Sequence, residues 1–529
     1  MAANRTFDQL DLKEKIGQLF MCGFDGLEPT DDILSLIAEY GLGGVIYFRR
    51  NVRDAAQVAE LSSKLQAAAA DPLFIAIDQE GGMVVRLEEG VTVMPGAMAQ
   101  GAADRAELTG EAAKLSGAEL RAIGINMNFA PCLDVNNNPL NPVIGVRSYG
   151  EDPNHVAALG TAAINGYRDG GIVAVAKHFP GHGDTAADSH HELPSVPHGV
   201  ERLNEVELLP FRQAIEQKVD AIMTAHVVFP AFEPGGIPAT LSRRILSGLL
   251  RDQLGFDGVI VTDCLEMNAI AETIGVARGA VEAIKAGADL ILVSHRIVRQ
   301  TAALEAVMEA VMTGEIAEAR IDEAARRIWE LKHNRGLFAD AAPATDAARA
   351  EEVQRLLCEA SVTVVKGGDR LPLSKDGNTV VVWVEARVGT EVIEVIKQEW
   401  TLGAALTQAG YDIAEVRIGL DPTAEEAADV RNAIEGSRTV IFASYDAGFS
   451  AGQTALIREL SANDNYAFVW VAMRTPYDLL VAPEAPVYLC VYENKPAMMT
   501  AVAGVLSGEL PLSAKLPVTI GEYARVTAL

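Results

Sequence analysis

From Lys177 to Glu192 the chain reads Lys-His-Phe-Pro-Gly-His-Gly-Asp-Thr-Ala-Ala-Asp-Ser-His-His-Glu, sixteen residues with four histidines, three acids, two glycines and a proline. The apolar run Ile172 to Ala176 leads into it. A strand that empties into such a loop supplies proton donors, acceptors and bends, and α/β proteins gather ligand contacts at strand ends of this kind. Inside the loop, Asp188-Ser189-His190 sets a carboxylate two residues from an imidazole. In a turn or extended chain the acid can fix the ring's tautomer and raise its basicity, which makes a general acid and base. Six of the nine histidines lie between His178 and His226 and none follows His333, which assigns the chemistry to the first two-thirds of the chain.

A second candidate is Asp263, the last residue of Gly258-Val-Ile-Val-Thr-Asp. A carboxylate at a strand end can act as nucleophile, base or metal ligand, or it can cap the following helix. The histidine density raises a zinc or iron centre as an alternative, but the spacing matches no familiar ligand set; no metal and no cofactor are expected. The glycines of Pro180-Gly-His-Gly and Gln79-Glu80-Gly81-Gly82 match no nucleotide-binding fingerprint. They are expected to free the backbone where loops approach a ligand closely.

These residues need elements to hold them. Eight short apolar runs recur, at 18–24, 44–48, 73–78, 125–130, 172–178, 221–226, 258–263 and 289–294. Their hydrophobicity is continuous rather than alternating, which fits parallel strands buried on both faces. Ala-rich stretches at 55–70, 103–122, 154–169, 203–217 and 275–287 fit crossover helices. Eight β/α units in about 300 residues predict a (β/α)8 TIM-type barrel. Asp78, Asn128, Lys177-His178, His226, Asp263 and Ser294-His295 end their runs, so polar groups from six strands meet on one rim. A doubly wound sheet, the rival, would split them between fewer loops. Helices are expected at 297–313 and 319–335, and then a small, polar, proline-bearing stretch marks a linker. The expected organisation is a catalytic barrel over 1–337, a linker over 338–348 and an αβα sandwich domain over 349–529. In the second domain strand-like runs lie at 362–366, 379–385, 413–418, 439–445, 467–473 and 487–492, with helices at 390–398, 424–435 and 452–462.

The formal charge of −28 argues against a nucleic-acid or anionic-membrane partner, since either calls for a basic face. The first residues lack an apolar export core, no run of about eighteen apolar residues occurs, and the five cysteines are odd in number and widely spaced. A cytoplasmic protein with reduced thiols is the expectation.

Taken together, Lys177-His-Phe-Pro-Gly-His-Gly-Asp-Thr, Asp188-Ser-His and Thr262-Asp-Cys-Leu-Glu-Met resemble the motifs of glycoside hydrolase family 3, in particular its bacterial β-N-acetylglucosaminidase branch. Further matches are Asp78-Gln-Glu-Gly-Gly with Arg86, Asn128-Phe-Ala-Pro-Cys-Leu-Asp134, Arg147-Ser-Tyr-Gly-Glu-Asp-Pro and Glu207-Leu-Leu-Pro-Phe. In the second domain, Leu371-Pro-Leu, Thr475-Pro-Tyr-Asp and Lys515-Leu-Pro-Val resemble that family's sandwich landmarks. Met83 departs from the polar or basic residue of the pattern.

The resemblance implies that Asp263 is the nucleophile of a retaining glycosidase, with His190 as acid and base oriented by Asp188. It implies a sugar-binding set of Asp78, Arg86, Arg147, Lys177 and His178. His182, His191 and His226 are expected to pack in loops or at the rim. The implied activity is exo-β-N-acetylglucosaminidase on a small glycan, such as a cell-wall fragment or chitin oligomer. Alternatives are a β-glucosidase or β-xylosidase, a phosphorylase using phosphate as acceptor, and a sugar-binding protein without catalysis. The presence of both Asp263 and the dyad argues against the last.

Overall fold

The computed structural model describes residues 5–186, 193–339, 343–386 and 398–524. Eight parallel strands form the first sheet: β1 (Phe20–Cys22), β2 (Gly44–Tyr47), β3 (Phe74–Ile77), β4 (Met127–Asn128), β5 (Val173–Phe179), β6 (Ala221–Thr224), β7 (Val259–Val261) and β8 (Ile291–Val293). Their order is β7-β6-β5-β4-β3-β2-β1-β8, and a parallel bridge from Val261 to Leu290 joins the two ends. The sheet therefore closes into the expected barrel. Every strand residue is buried, as continuous Val, Ile, Ala and Phe runs require when helices cover one face and side chains fill the other.

Local chemistry sets the helix ends. Asp152 caps helix Pro153–Asp169, its side chain accepting from the Asn154 and His155 amides, while Pro153 stands where no amide is needed. The helix expected over 103–122 is present as Ala106–Ala122, and a break at Asp104, left-handed with φ 51°, divides it from a separate helix, Ala97–Ala103. The stretch over 203–217 splits into Val200–Glu205 and Leu209–Glu216, with Pro210 in the first turn of the second.

The second sheet contains β9 (Thr363–Lys366), β10 (Asn378–Glu385), β11 (Asp412–Gly419), β12 (Thr439–Ser444), β13 (Ala467–Ala472) and β14 (Tyr488–Cys490). Its order is β11-β10-β12-β13-β14-β9, parallel except for the β14 and β9 pair. Helices Ala424–Ala433 and Ala451–Ser461 match the expectation; the helix expected over 390–398 falls, except for its last residue, outside the described residues. Helices Ala347–Ser361 and Pro496–Ser507 were not foreseen. The latter is buried along most of its length, so its sequence shows no polar face. Among the described residues no helix is long and apolar enough to cross a membrane, and all five cysteines are free and buried.

The two sheets have separate cores, but the second recruits Met98, Ala99 and Ala102 from the helix that follows β3. Polar contacts add to this join. Arg349 donates twice to Glu111, at 2.7 Å each; Lys515 Nζ donates to Asp104 at 2.6 Å; and the Thr519 amide donates to Glu151 at 2.7 Å. With the boundary proposed at 338–348, limited proteolysis should cut there first, and the two fragments should stay associated during gel filtration. First cleavage inside either sheet region would move the boundary.

Candidate active site

A cavity of about 490 Å³ opens at the C-terminal end of the barrel. Asp78, Arg86, Arg147, Lys177, His178 and Asp263 all line it. They come from four stretches of chain: the loop after β3, a turn at Gly145–Arg147, the end of β5 and the residue two past β7. Asp188, His190 and His191 lie outside the described residues.

Lys177 is the centre of the polar lining. Its side chain is buried, and Nζ donates to Asp78 Oδ1 at 2.7 Å while pairing with Glu80 Oε1 at 2.6 Å. Glu80 also receives a two-pronged contact from Arg147, Nε at 3.0 Å and Nη2 at 2.8 Å. Arg86 Nη2 stands 3.6 Å from the other oxygen of Asp78. Burial alone would raise the Glu80 carboxyl, but Arg147 and Lys177 outweigh it and hold the group well below the usual carboxylate range. Burial would lower Lys177, yet Asp78 and Glu80 keep it above its ordinary value. Glu80, Arg147 and Lys177 are therefore held charged, with Asp78 as the second partner of Lys177.

His178 is anchored from behind. Its Nδ1 donates to Asp134 Oδ2 at 2.7 Å, leaving Nε2 3.5 Å from Arg147 Nη2. Asp134 Oδ1 accepts the His182 amide at 2.6 Å and the His178 amide at 3.3 Å. Burial would raise Asp134, but the two histidines bring it well below its ordinary value. His182 is itself buried and pushed down to about 4 by that burial and by His178, which leaves it neutral near pH 7. The β5 register shifts between Ala176 and Phe179. At such an irregularity a strand can re-aim its side chains, and here two successive residues line one cavity.

Asp263 is half-buried, and its Oδ1 accepts the Cys264 amide at 2.7 Å. It does not cap the next helix: Met267 holds the N-cap position of Asn268–Ala271. Its backbone is held on both sides. Thr262 Oγ1 accepts the Leu292 amide at 3.0 Å, and His226 Nε2 lies 2.9 Å from the Cys264 carbonyl. His226 is fully buried, in keeping with the packing role expected of it. His182, expected only to pack, also lines the cavity.

The sequence reading passed over Glu80, Asp134, Phe48, Arg50 and Glu266 as site residues. Phe48, Arg50 and Glu266 also line the cavity, with the Arg50 guanidinium 4.4 Å from the Phe48 ring centre. Glu80 and Asp134 stood inside quoted motifs; a count of the cations awaiting a partner was the signal available. The glycines require a correction. Their close approaches are to the protein itself: a Cβ on Gly183 would lie 1.9 Å from the Val135 carbonyl oxygen, and one on Gly82 would lie 2.6 Å from Glu493 Oε2. Met83 packs against the second core, so its place in the pattern is filled by a domain contact.

Among the described residues, two groups have ligand atoms close enough for a metal ion: Cys132, Asp134 and His178, and Asp184, His198 and Glu207. In the first, Asp134 accepts from both Cys132 Sγ and His178 Nδ1, so its oxygens already have partners. In the second, Arg202 lies 3.1 Å from Glu207 and supplies a cation.

A rim of fixed charges beside the half-buried Asp263 suits a barrel enzyme acting on a ligand rich in hydroxyl or amide groups. Residues 11–331 match the family model described as glycosyl hydrolase family 3 N terminal domain. The chain is 35% identical over 427 residues to beta-hexosaminidase A of Pseudoalteromonas piscicida, covering 72% of this chain and 71% of that one. It is 40% identical over 276 residues to a beta-hexosaminidase of Thiobacillus denitrificans, covering 51% of this chain and 76% of the other. A solved glycoside hydrolase family 3 beta-N-acetylglucosaminidase from Paenibacillus sp. str. FPU-7 superposes with a TM-score of 0.94 at 52% identity, covering 97% of this chain and 99% of that one. The chain belongs to glycosyl hydrolase family 3, and it is a glycoside hydrolase.

Removing the Glu80 charge should leave two buried cations short of a partner. Glu80→Gln is expected to cost about 3–5 kcal/mol in urea unfolding. The folded Glu80 carboxyl sits below the ordinary glutamate value of 4.5, so its contribution is complete above that pH and fades as pH falls. Wild type should thus lose stability on acidification below about pH 4.5 more steeply than Glu80→Gln; parallel curves would contradict this reading.

Proposed function

We propose that the chain is a retaining exo-β-N-acetylglucosaminidase, releasing terminal β-linked N-acetylglucosamine from a cell-wall fragment or chitin oligomer. The carrying observation is the shared cavity: Asp263 faces the same space as the locked set of Asp78, Arg86, Arg147, Lys177 and His178. The names of the relatives at 35–52% identity support the same substrate class.

In this reading the fixed donors and acceptors grip the hydroxyls and 2-acetamido group of one sugar, and Asp263 attacks its anomeric carbon. The C–O bond to the aglycone breaks as the Asp263 C–O bond forms, through an oxocarbenium-like transition state. His190, oriented by Asp188, donates its proton to the departing oxygen. It then takes a proton from water, which cleaves the glycosyl-enzyme and restores the carboxylate.

Asp263→Asn preserves shape and removes the attacking charge, so turnover should nearly vanish while the fold stays intact by circular dichroism. With wild type, an N-acetylglucosaminyl disaccharide should give free N-acetylglucosamine in both plain and phosphate buffer. Formation of the sugar 1-phosphate would identify a phosphorylase, and equal or better kcat/KM on the matching aryl glucoside would identify a β-glucosidase. A glucoside leaves acetamido partners unpaired, which disfavours it by several kcal/mol in a site built for hydrogen bonds.

The leaving group tests His190. A nitrophenolate departs without protonation and a sugar alkoxide does not. In single-turnover glycosylation, His190→Ala should lose about 10²–10⁴-fold on a disaccharide and far less on an aryl glycoside. Equal losses would make His190 a binding or structural residue.

A further inference from the structure

Just past β14, Glu493 is a second-domain carboxylate buried to 2% exposure. Its Oε2 accepts the Gly96 amide at 2.7 Å, across 397 residues of sequence. Gly82 packs against the same oxygen: a Cβ there would lie 2.6 Å from Oε2 and 2.7 Å from the Gly96 Cα. The Gly82 amide donates to the Met94 carbonyl at 2.9 Å, and a Cβ on Gly81 would lie 2.7 Å from that same carbonyl oxygen. Gly81 and Gly82 both have positive φ, 98° and 55°, which side chains rarely adopt. Two strands of one loop, 80–84 and 94–96, are thus pressed together with Glu493 as the clasp. Lys495, two residues on, pairs with Glu88 of the same loop.

Two residues upstream of Gly82 stands Glu80, whose carboxylate holds Arg147 and Lys177 in the cavity. Its amide donates to the Val84 carbonyl at 3.0 Å, so the turn that Glu493 closes also fixes the Glu80 backbone. We propose that Glu493 is a positioning residue for the glycosidase reaction, by which the second domain sets the loop that carries Asp78, Glu80 and Arg86. This rests on the functional reading above. Glu493 is not part of the cavity lining, so its effect passes through the Gly82–Gly96 clasp.

The charged and titratable groups that act on it are Lys495, itself paired with Glu88, and the Cys358 thiol on helix Ala347–Ser361. Burial pushes the Glu493 carboxyl up to about 7, which makes glutamine a close mimic of the neutral acid. Glu493→Met fills the same space and cannot accept from Gly96.

Steady-state kinetics on an aryl β-N-acetylglucosaminide, with thermal melting alongside, separate the possibilities. A shift of the sugar-gripping set weakens ground state and transition state together, so Glu493→Met should raise KM about 10-fold with kcat nearly unchanged. Glu493→Gln should keep KM near wild type. A purely structural role would lower the melting temperature and active fraction and leave KM alone. If Glu493→Met fails to fold, Glu493→Asp, which withdraws the acceptor by one methylene, should raise KM about threefold. An unchanged KM in the folded variant overturns the proposal. Wild type inactive on every N-acetylglucosaminide would instead overturn the functional reading and leave the clasp to be measured by melting alone.

Discussion

A buried ammonium needs carboxylates around it, and that need shapes this molecule. Lys177 satisfies it with Asp78 and Glu80, and Glu80 in turn satisfies Arg147. Burying one such charge alone would cost several kcal/mol, so the four groups stand or fall together. They can meet only if β3 and β5 flank β4 and the 145–147 turn folds over the rim, which is the parallel order the barrel adopts. The arrangement contributes less to stability than to geometry. It presents directional donors and acceptors whose orientation is settled before any ligand arrives, which is the form of preorganisation that catalysis rewards.

The second domain takes part in that settlement. It contacts the loop after β3 through Glu493 and Lys495, the following helix through Lys515, and the segment after β4 through Tyr477 and Thr519. Those stretches of barrel chain hold Asp78, Glu80 and Arg86 on one side and Asp134 and Arg147 on the other. Loops this long would otherwise be the mobile part of a barrel. Covering them with a second core explains why Met83 and Met98, which belong to the barrel by sequence, pack with the sandwich.

Much of this was legible in the sequence, and the boundary of what was legible has a physical cause. All eight barrel runs and all six runs of the second sheet contain strands; in the barrel the signature is unbroken because parallel strands there are buried on both faces, whereas β9 pairs antiparallel and β11 is only partly buried. The polar ends of the barrel runs likewise pointed to the rim, and Asp78, Lys177, His178 and Asp263 share its cavity. Partners were harder to read. Glu80 is 67 residues from Arg147, Asp134 is 44 from His178, and Glu493 is 397 from Gly96, and no local pattern records such pairings. Helix Pro496–Ser507 was missed for the converse reason: a helix buried along most of its length has no period to detect. The breaks at Asp104 and before Pro210 were written in single residues that a count of apolar stretches averages away.

The central claim is that Asp263 forms a bond to the sugar while the locked rim holds it. A fluorinated N-acetylglucosaminyl fluoride slows hydrolysis of such an intermediate enough to isolate it, and peptide mass spectrometry then locates the attached sugar. The account expects a single adduct on the peptide containing Asp263, absent from Asp263→Asn. A label on Glu80, Glu266 or any other carboxylate, or rapid turnover of the reagent by Asp263→Asn, would contradict it.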